Sequence, residues 1–156
     1  MRSLLFLIAI PLGFAFTTTA PGEYCNARFG YCMTYPSDLF NGRELSDNGD
    51  GIRLFVEDSE TELAVTGSYN VMDWSLDDVY RFVTTSSMEE LVAQEIVRTD
   101  LERNAYEVTF RTPEHIYYHR TQMFDEVFVT IQLRVAASDG EELENLREQI
   151  DLNVNL

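Results

Sequence analysis

The sequence predicts an α+β domain: an antiparallel sheet of about six to seven strands flanked by two main helices. Three observations predict it. Residues 104–135 read as three successive strands with period-two alternation, the mark of half-buried strands. The joints between them, Thr112-Pro113-Glu114 and Phe124-Asp125-Glu126, are short, which makes neighbours antiparallel. Two stretches with helical spacing of apolar residues, opened by Ser75 and Ser138, are available to pad the sheet. Along 105–111, Tyr106, Val108 and Phe110 point one way; residues 116–123 are aromatic and polar. Along 127–135, Val127, Val129, Ile131, Leu133 and Val135 share a face. The expectation is a meander with one greasy face that something must cover.

The chain starts with an address. Arg2, the apolar run 4–16 and the small residues after it have the pattern of a secretory signal peptide. The run is shorter than the ~20 residues of a comfortable membrane span. Pro21 disfavours a cut after Ala20, whereas Ala20-Pro21-Gly22 places small residues at the needed spacing; Gly13-Phe14-Ala15 is a second option. Residues 1–22 are therefore expected to leave, and 23–156 to form a single domain in the periplasm or the outside medium.

Residues 24–36 read as a hairpin, with turn chemistry from Asn26 to Gly30 between aromatic and β-branched arms. Cys25 and Cys32, the chain's two cysteines, sit on opposite arms, and an even count in an exported chain suggests a disulfide. A metal pair or a reactive thiol lacks a companion His or Cys nearby. Residues 37–51 read as a loop. Its end, Asp47-Asn48-Gly49-Asp50-Gly51, offers oxygen to a calcium ion through Asp47 and Asp50. EF-hand spacing fails there, because Gly49 and Gly51 fall where side-chain oxygens belong, and Asx turns account for the same residues.

Residues 52–56 and 63–69 are two more strands. Ser75 opens a helix, with Asp78 completing a capping box and Leu76, Val79, Tyr80 and Val83 as the apolar stripe. Asp77 and Asp78 are a conceivable acid and base pair, but their place at the positive helix end explains them as well. Trp74 is either a binding platform or the hydrophobic entry to the helix. Residues 87–94 extend or restart the helix, 95–100 turn β-like, and 101–104 lead into the meander. His115 and His119 share a strand face, about 13 Å apart by strand rise, too far for one ion. In the last helix Ser138 is the expected cap, answered by Glu141, with Leu143, Leu146 and Ile150 as the stripe and Arg147 in the final turn. That helix is the expected lid for the meander. Leu152, Val154 and Leu156 alternate as a short edge strand.

Charge excludes some partners. The chain has 27 acids against 11 bases, every base is Arg, and the net charge is −16. Removal of 1–22 takes Arg2 and leaves −17. Such a chain is repelled by phosphate backbones and anionic lipid, so nucleic acid and membrane surfaces are poor partners. Habitat or solubility bias accounts for the same charge.

Tyr24 to Pro36, with Arg28-Phe29-Gly30-Tyr31 and Tyr35-Pro36, followed by Asn48-Gly49-Asp50-Gly51, resembles the opening of PsbP/Mog-like domains of exported bacterial proteins. The aromatic strands and the final Ser-capped helix also fit, over nearly the whole mature chain. The resemblance implies α/β/α layers. The family includes a photosystem accessory protein and a Ran-binding import factor, which act by binding partners. Neither role carries over, since no partner-binding motif matches residue by residue, and the cysteine pair has no place in the general pattern. Two functional readings follow. One is a non-enzymatic exported module, without a cofactor, that binds a protein or small ligand. The other is a small hydrolase using Ser86 or Ser87 with His115 or His119, although no Gly-x-Ser-x-Gly occurs. Calcium-dependent binding is a variant of the first.

Overall fold

The computed structural model describes residues 20–90, 95–101 and 104–154. The order of elements is β1 (Gly22–Asn26), β2 (Tyr31–Tyr35), β3 (Gly42–Leu45), β4 (Gly51–Phe55), β5 (Glu62–Tyr69), α1 (Leu76–Glu90), β6 (Glu95–Leu101), β7 (Ala105–Arg111), β8 (His115–Phe124), β9 (Val127–Ala136), α2 (Gly140–Gln149) and β10 (Asp151–Val154). All strand pairs are antiparallel, in a seven-stranded sheet ordered β3-β4-β5-β9-β8-β7-β6 and a three-stranded sheet ordered β1-β2-β10. After β5 the chain passes through α1 to the far edge at β6, then meanders back through β7 and β8 so that β9 closes on β5. The α+β class and the meander are thus as expected.

The single greasy face is not. Register partners share a face, and Phe110 pairs with Tyr117, which pairs with Arg134. Phe110 therefore lies on the face opposite Leu133. Tyr106, Val108 and Phe110 pack under Leu76, Val79, Tyr80 and Val83 of α1. Val129, Ile131, Leu133 and Val135 face the other way, toward Leu143 and Leu146 of α2 and Tyr31, Met33, Leu152 and Val154 of the small sheet. The alternation was read correctly within each strand; the phase between strands is set by register, which a one-residue slip inverts. The sheet is consequently greasy on both sides, and each helix covers a different one. α2 shares its duty as lid with the three-stranded sheet.

Four smaller differences have local causes. The expected loop 37–51 contains β3, a four-residue strand with little apolar content that pairs with β4 at the sheet edge. The α2 cap is Asp139 rather than Ser138; the Ser138 hydroxyl donates to Asp139 Oδ1 at 2.6 Å, and no side chain caps the helix. Ile150 is the C-cap in extended backbone, so it packs from outside the helix. Leu101 belongs to β6 rather than to a turn. Residues 91–94, 102–103, 155–156 and the expected leader up to residue 19 lie outside the described residues. β1 starts at Gly22, which pairs with Tyr35, so a cut after Gly22 would remove the first rung of that strand.

Two contacts tie the layers. Gly67 faces Phe29, and a Cβ there would fall 2.6 Å from the ring, so the aromatic seats on bare backbone. Arg147 of α2 donates to Glu107 Oε2 of β7 at 3.2 Å while its guanidinium lies 5.7 Å from the Tyr118 ring centre. An arginine that also favours the negative helix end thereby anchors α2 across the sheet.

Candidate functional site

Four of the five large exposed hydrophobic residues among those described gather in one place: Tyr69, Val71, Met72 and Phe82. They line a cleft of about 350 Å³ between α1 and the sheet face that α1 only partly covers. Single exposed apolar side chains are ordinary, but a group of them around a concavity is a recognition feature.

Local chemistry builds the wall. Asn70 grips the backbone of Trp74 twice, donating from Nδ2 to its carbonyl at 2.9 Å and accepting its N–H at 2.8 Å. Asn70 N–H itself donates to Glu126 O at 2.7 Å, which ties this corner to the β8–β9 turn. α1 then starts at the expected capping box: Ser75 N–H donates to Asp78 Oδ2 at 2.9 Å and Asp78 N–H to Ser75 Oγ at 3.2 Å. The Ser75 hydroxyl, with its N–H, lowers the Asp78 pKa. Asp77 pairs with Arg81 at 2.9 Å. Both acids are therefore spent on the helix start. Trp74 packs its ring 5.2 Å from that of Phe82, and the two form the cleft's aromatic edge.

The floor is polar and uncharged. Thr66 and Ser68 of β5 and Thr130 and Gln132 of β9 present short hydrogen-bonding side chains on the face opposite the main core. Behind them lies His119, 7% exposed. Burial lowers its pKa to about 4, so the imidazole is neutral at pH 7. Tyr106, fully buried, has its pKa raised to about 12, chiefly by the same loss of water, and stays protonated. Its hydroxyl lies 3.3 Å from His119 Nδ1 and accepts from Thr121 Oγ1 at 3.1 Å. Thr121 Oγ1 lies 2.9 Å from Thr130 Oγ1.

The residues singled out in the sequence do not converge. Cys25 and Cys32 are disulfide-bonded, directly opposite each other in the β1–β2 register. Glu23 lies close to them, but bonded cysteines present no thiolate to a metal. Asp47 and Asp50 occupy the loop before β4. There the oxygens already accept from protein donors: Arg28 Nη1 to Asn48 O at 3.1 Å, Asn26 Nδ2 to Gly49 O at 3.0 Å, Tyr31 Oη to Asp50 O at 2.9 Å, and Asn48 Nδ2 to the Asp50 carboxylate at 2.8 Å. The Ser46 hydroxyl, first among several partners, lowers the Asp50 pKa. His115 Nε2 pairs with Glu60 at 2.8 Å, away from the cleft. Nδ1 of His119 meets a tyrosine hydroxyl, not the carboxylate that orients a catalytic imidazole. The side chains of Ser86 and Ser87 lie outside the described residues.

Trp74 and His119 stand out in the sequence, whereas Asn70, Thr130, Gln132 and the Tyr106 relay do not. The available signal was β5 and β9 themselves. Both sit mid-sheet, yet each carries a row of Thr, Ser and Gln opposite its apolar row, which marks a sheet face that no helix seals.

The two layers, the crossover through α1 and the helix on each face define a PsbP-like α+β fold. Among solved structures, the chain is similar to the solution structure of cyanobacterial PsbP (CyanoP) from Synechocystis sp. PCC 6803. The match covers 91% of this chain and 99% of that one, with a TM-score of 0.64 and 15% sequence identity. Likeness at that identity is likeness of fold. No family model matches the chain, and no curated protein does. Among the described residues no helix is long and apolar enough to cross a membrane.

Proposed function

We propose that the mature chain is an exported, non-enzymatic binding module that takes its ligand or partner in the cleft between α1 and the β5–β9 face. The observation that carries this is the gathering of Tyr69, Val71, Met72 and Phe82 around an uncharged polar floor. Hydrophobic side chains left in water at one concavity are a cost to the free protein that a bound partner recovers. The PsbP-like fold is consistent with an accessory module, and the cystine suits an oxidising compartment.

Native mass spectrometry of the chain recovered from its own exported fraction tests it. Wild type carries a bound species that is released chemically unchanged, and Phe82→Asp has lost it. A serine-directed fluorophosphonate probe that labels wild type, with labelling abolished by His119→Ala, would instead establish the hydrolase and overturn the reading.

A further inference from the structure

Every described residue lining the cleft is uncharged, in a chain with 27 acids and 11 arginines. An ionic ligand would find no counter-charge there. The apolar wall and polar floor call for a molecule with an apolar body and a small polar group, and His119 determines which kind of group.

The relay behind the floor favours one tautomer. Thr121 donates to Tyr106, so the Thr121 oxygen is free to accept from Thr130. Tyr106, accepting from Thr121, has its own proton available for His119 Nδ1, 3.3 Å away. A neutral imidazole that accepts at Nδ1 carries its hydrogen on Nε2. No hydrogen bond reaches Nε2 among the described residues. Nor is Nε2 sealed from solvent, as the Nε atoms of Arg120 and Arg147, which also make no hydrogen bond, are. Two buried hydroxyls and the half-buried Thr130 thus back one ring nitrogen, on a side chain more than nine-tenths buried, at the floor of an apolar-walled cleft.

We infer that the cleft binds an uncharged, ring-sized amphiphile through a carbonyl oxygen that accepts from His119 Nε2–H. This rests on the cleft being the binding site. A donor left unmet in a low-dielectric site favours an acceptor strongly and rejects an isostere that lacks one. Thr66, Ser68 and Gln132 provide further polar contact at the open side. A two-ring ketone is smaller than the 350 Å³ available.

Three probes of nearly equal shape separate the terms: 2-acetonaphthone, 2-ethylnaphthalene and 2-naphthoate. Binding to the mature protein is followed by the side-chain NMR signals of His119 and Trp74, the chain's single tryptophan. The ketone should bind at least tenfold more tightly than either analogue, shift the His119 Nε2 resonance, and broaden or shift the Trp74 indole. Free protein at pH 7 should show the Nε2–H tautomer. Thr130→Val, at the open end of the relay, should fold normally and weaken ketone binding while leaving 2-ethylnaphthalene unchanged. An Nδ1–H tautomer overturns the inference without using any variant. Equal binding of all three probes with Trp74 perturbed overturns the carbonyl inference and leaves the cleft reading standing. No Trp74 perturbation by any probe overturns both.

Discussion

Protonating His119 would put a cation among Val108, Tyr106 and the uncharged floor, with no carboxylate among the described residues lining the cleft to receive it. Its folded pKa, about 4, is below the ordinary value of 6.5, so between those limits the unfolded chain binds the extra proton. Stability therefore rises with pH across that window, is fully present above about 6.5, and is lost as pH falls toward 4. The whole effect is roughly 3 kcal/mol. Chemical denaturation of wild type and His119→Gln at pH 7 and pH 5 should show a steeper loss in wild type, since the carboxylates titrate in both. Equal slopes would mean that His119 is wetter than described. Asn70 acts at the same scale. Asn70→Ala removes both bonds to Trp74 and should cost about 1–2 kcal/mol, with a red-shifted Trp74 emission as the aromatic edge loosens. Neither role was legible in the sequence. An Asn before a Trp reads as turn chemistry, and a His on a strand does not announce which hydroxyl stands opposite.

At the scale of elements, much was legible. The capping box of α1, the alternation of β7 and β9, and the hairpin with its cystine follow from side-chain period and turn residues, which are local properties. β3 was not, because Gly-Arg-Glu-Leu has no alternation to read and becomes a strand only through its pairing with β4. The faces of β7 and β9 were not, because register is a property of two strands together. The cystine closes a short loop at the β1–β2 end, with a sequence separation of 7. Cys25→Ser with Cys32→Ser should cost about 2–3 kcal/mol of unfolding free energy. The same variant should leave Trp74 emission unchanged, because the small sheet packs on the opposite face from the cleft. A shifted emission would show that the two faces are coupled.

For the whole molecule, the seven-stranded sheet separates two tasks. One face buries the main core under α2 and the small sheet, while the other is left half open beside α1. The layered class could be read from element order. The half-open face could not, since it depends on α1 crossing only part of the sheet. The net charge of −16 belongs to this scale as well. It keeps the surface soluble and anion-averse but leaves the cleft uncharged, so ligand binding there should change little with salt. The most direct test of the cleft as the working surface is hydroxyl-radical footprinting of the protein, with and without the small-molecule and protein contents of its native cell fractions. Protection confined to Tyr69, Met72, Trp74 and Phe82 is the predicted result. Protection instead along α2 or the β3 edge, with those four side chains unchanged, would contradict it.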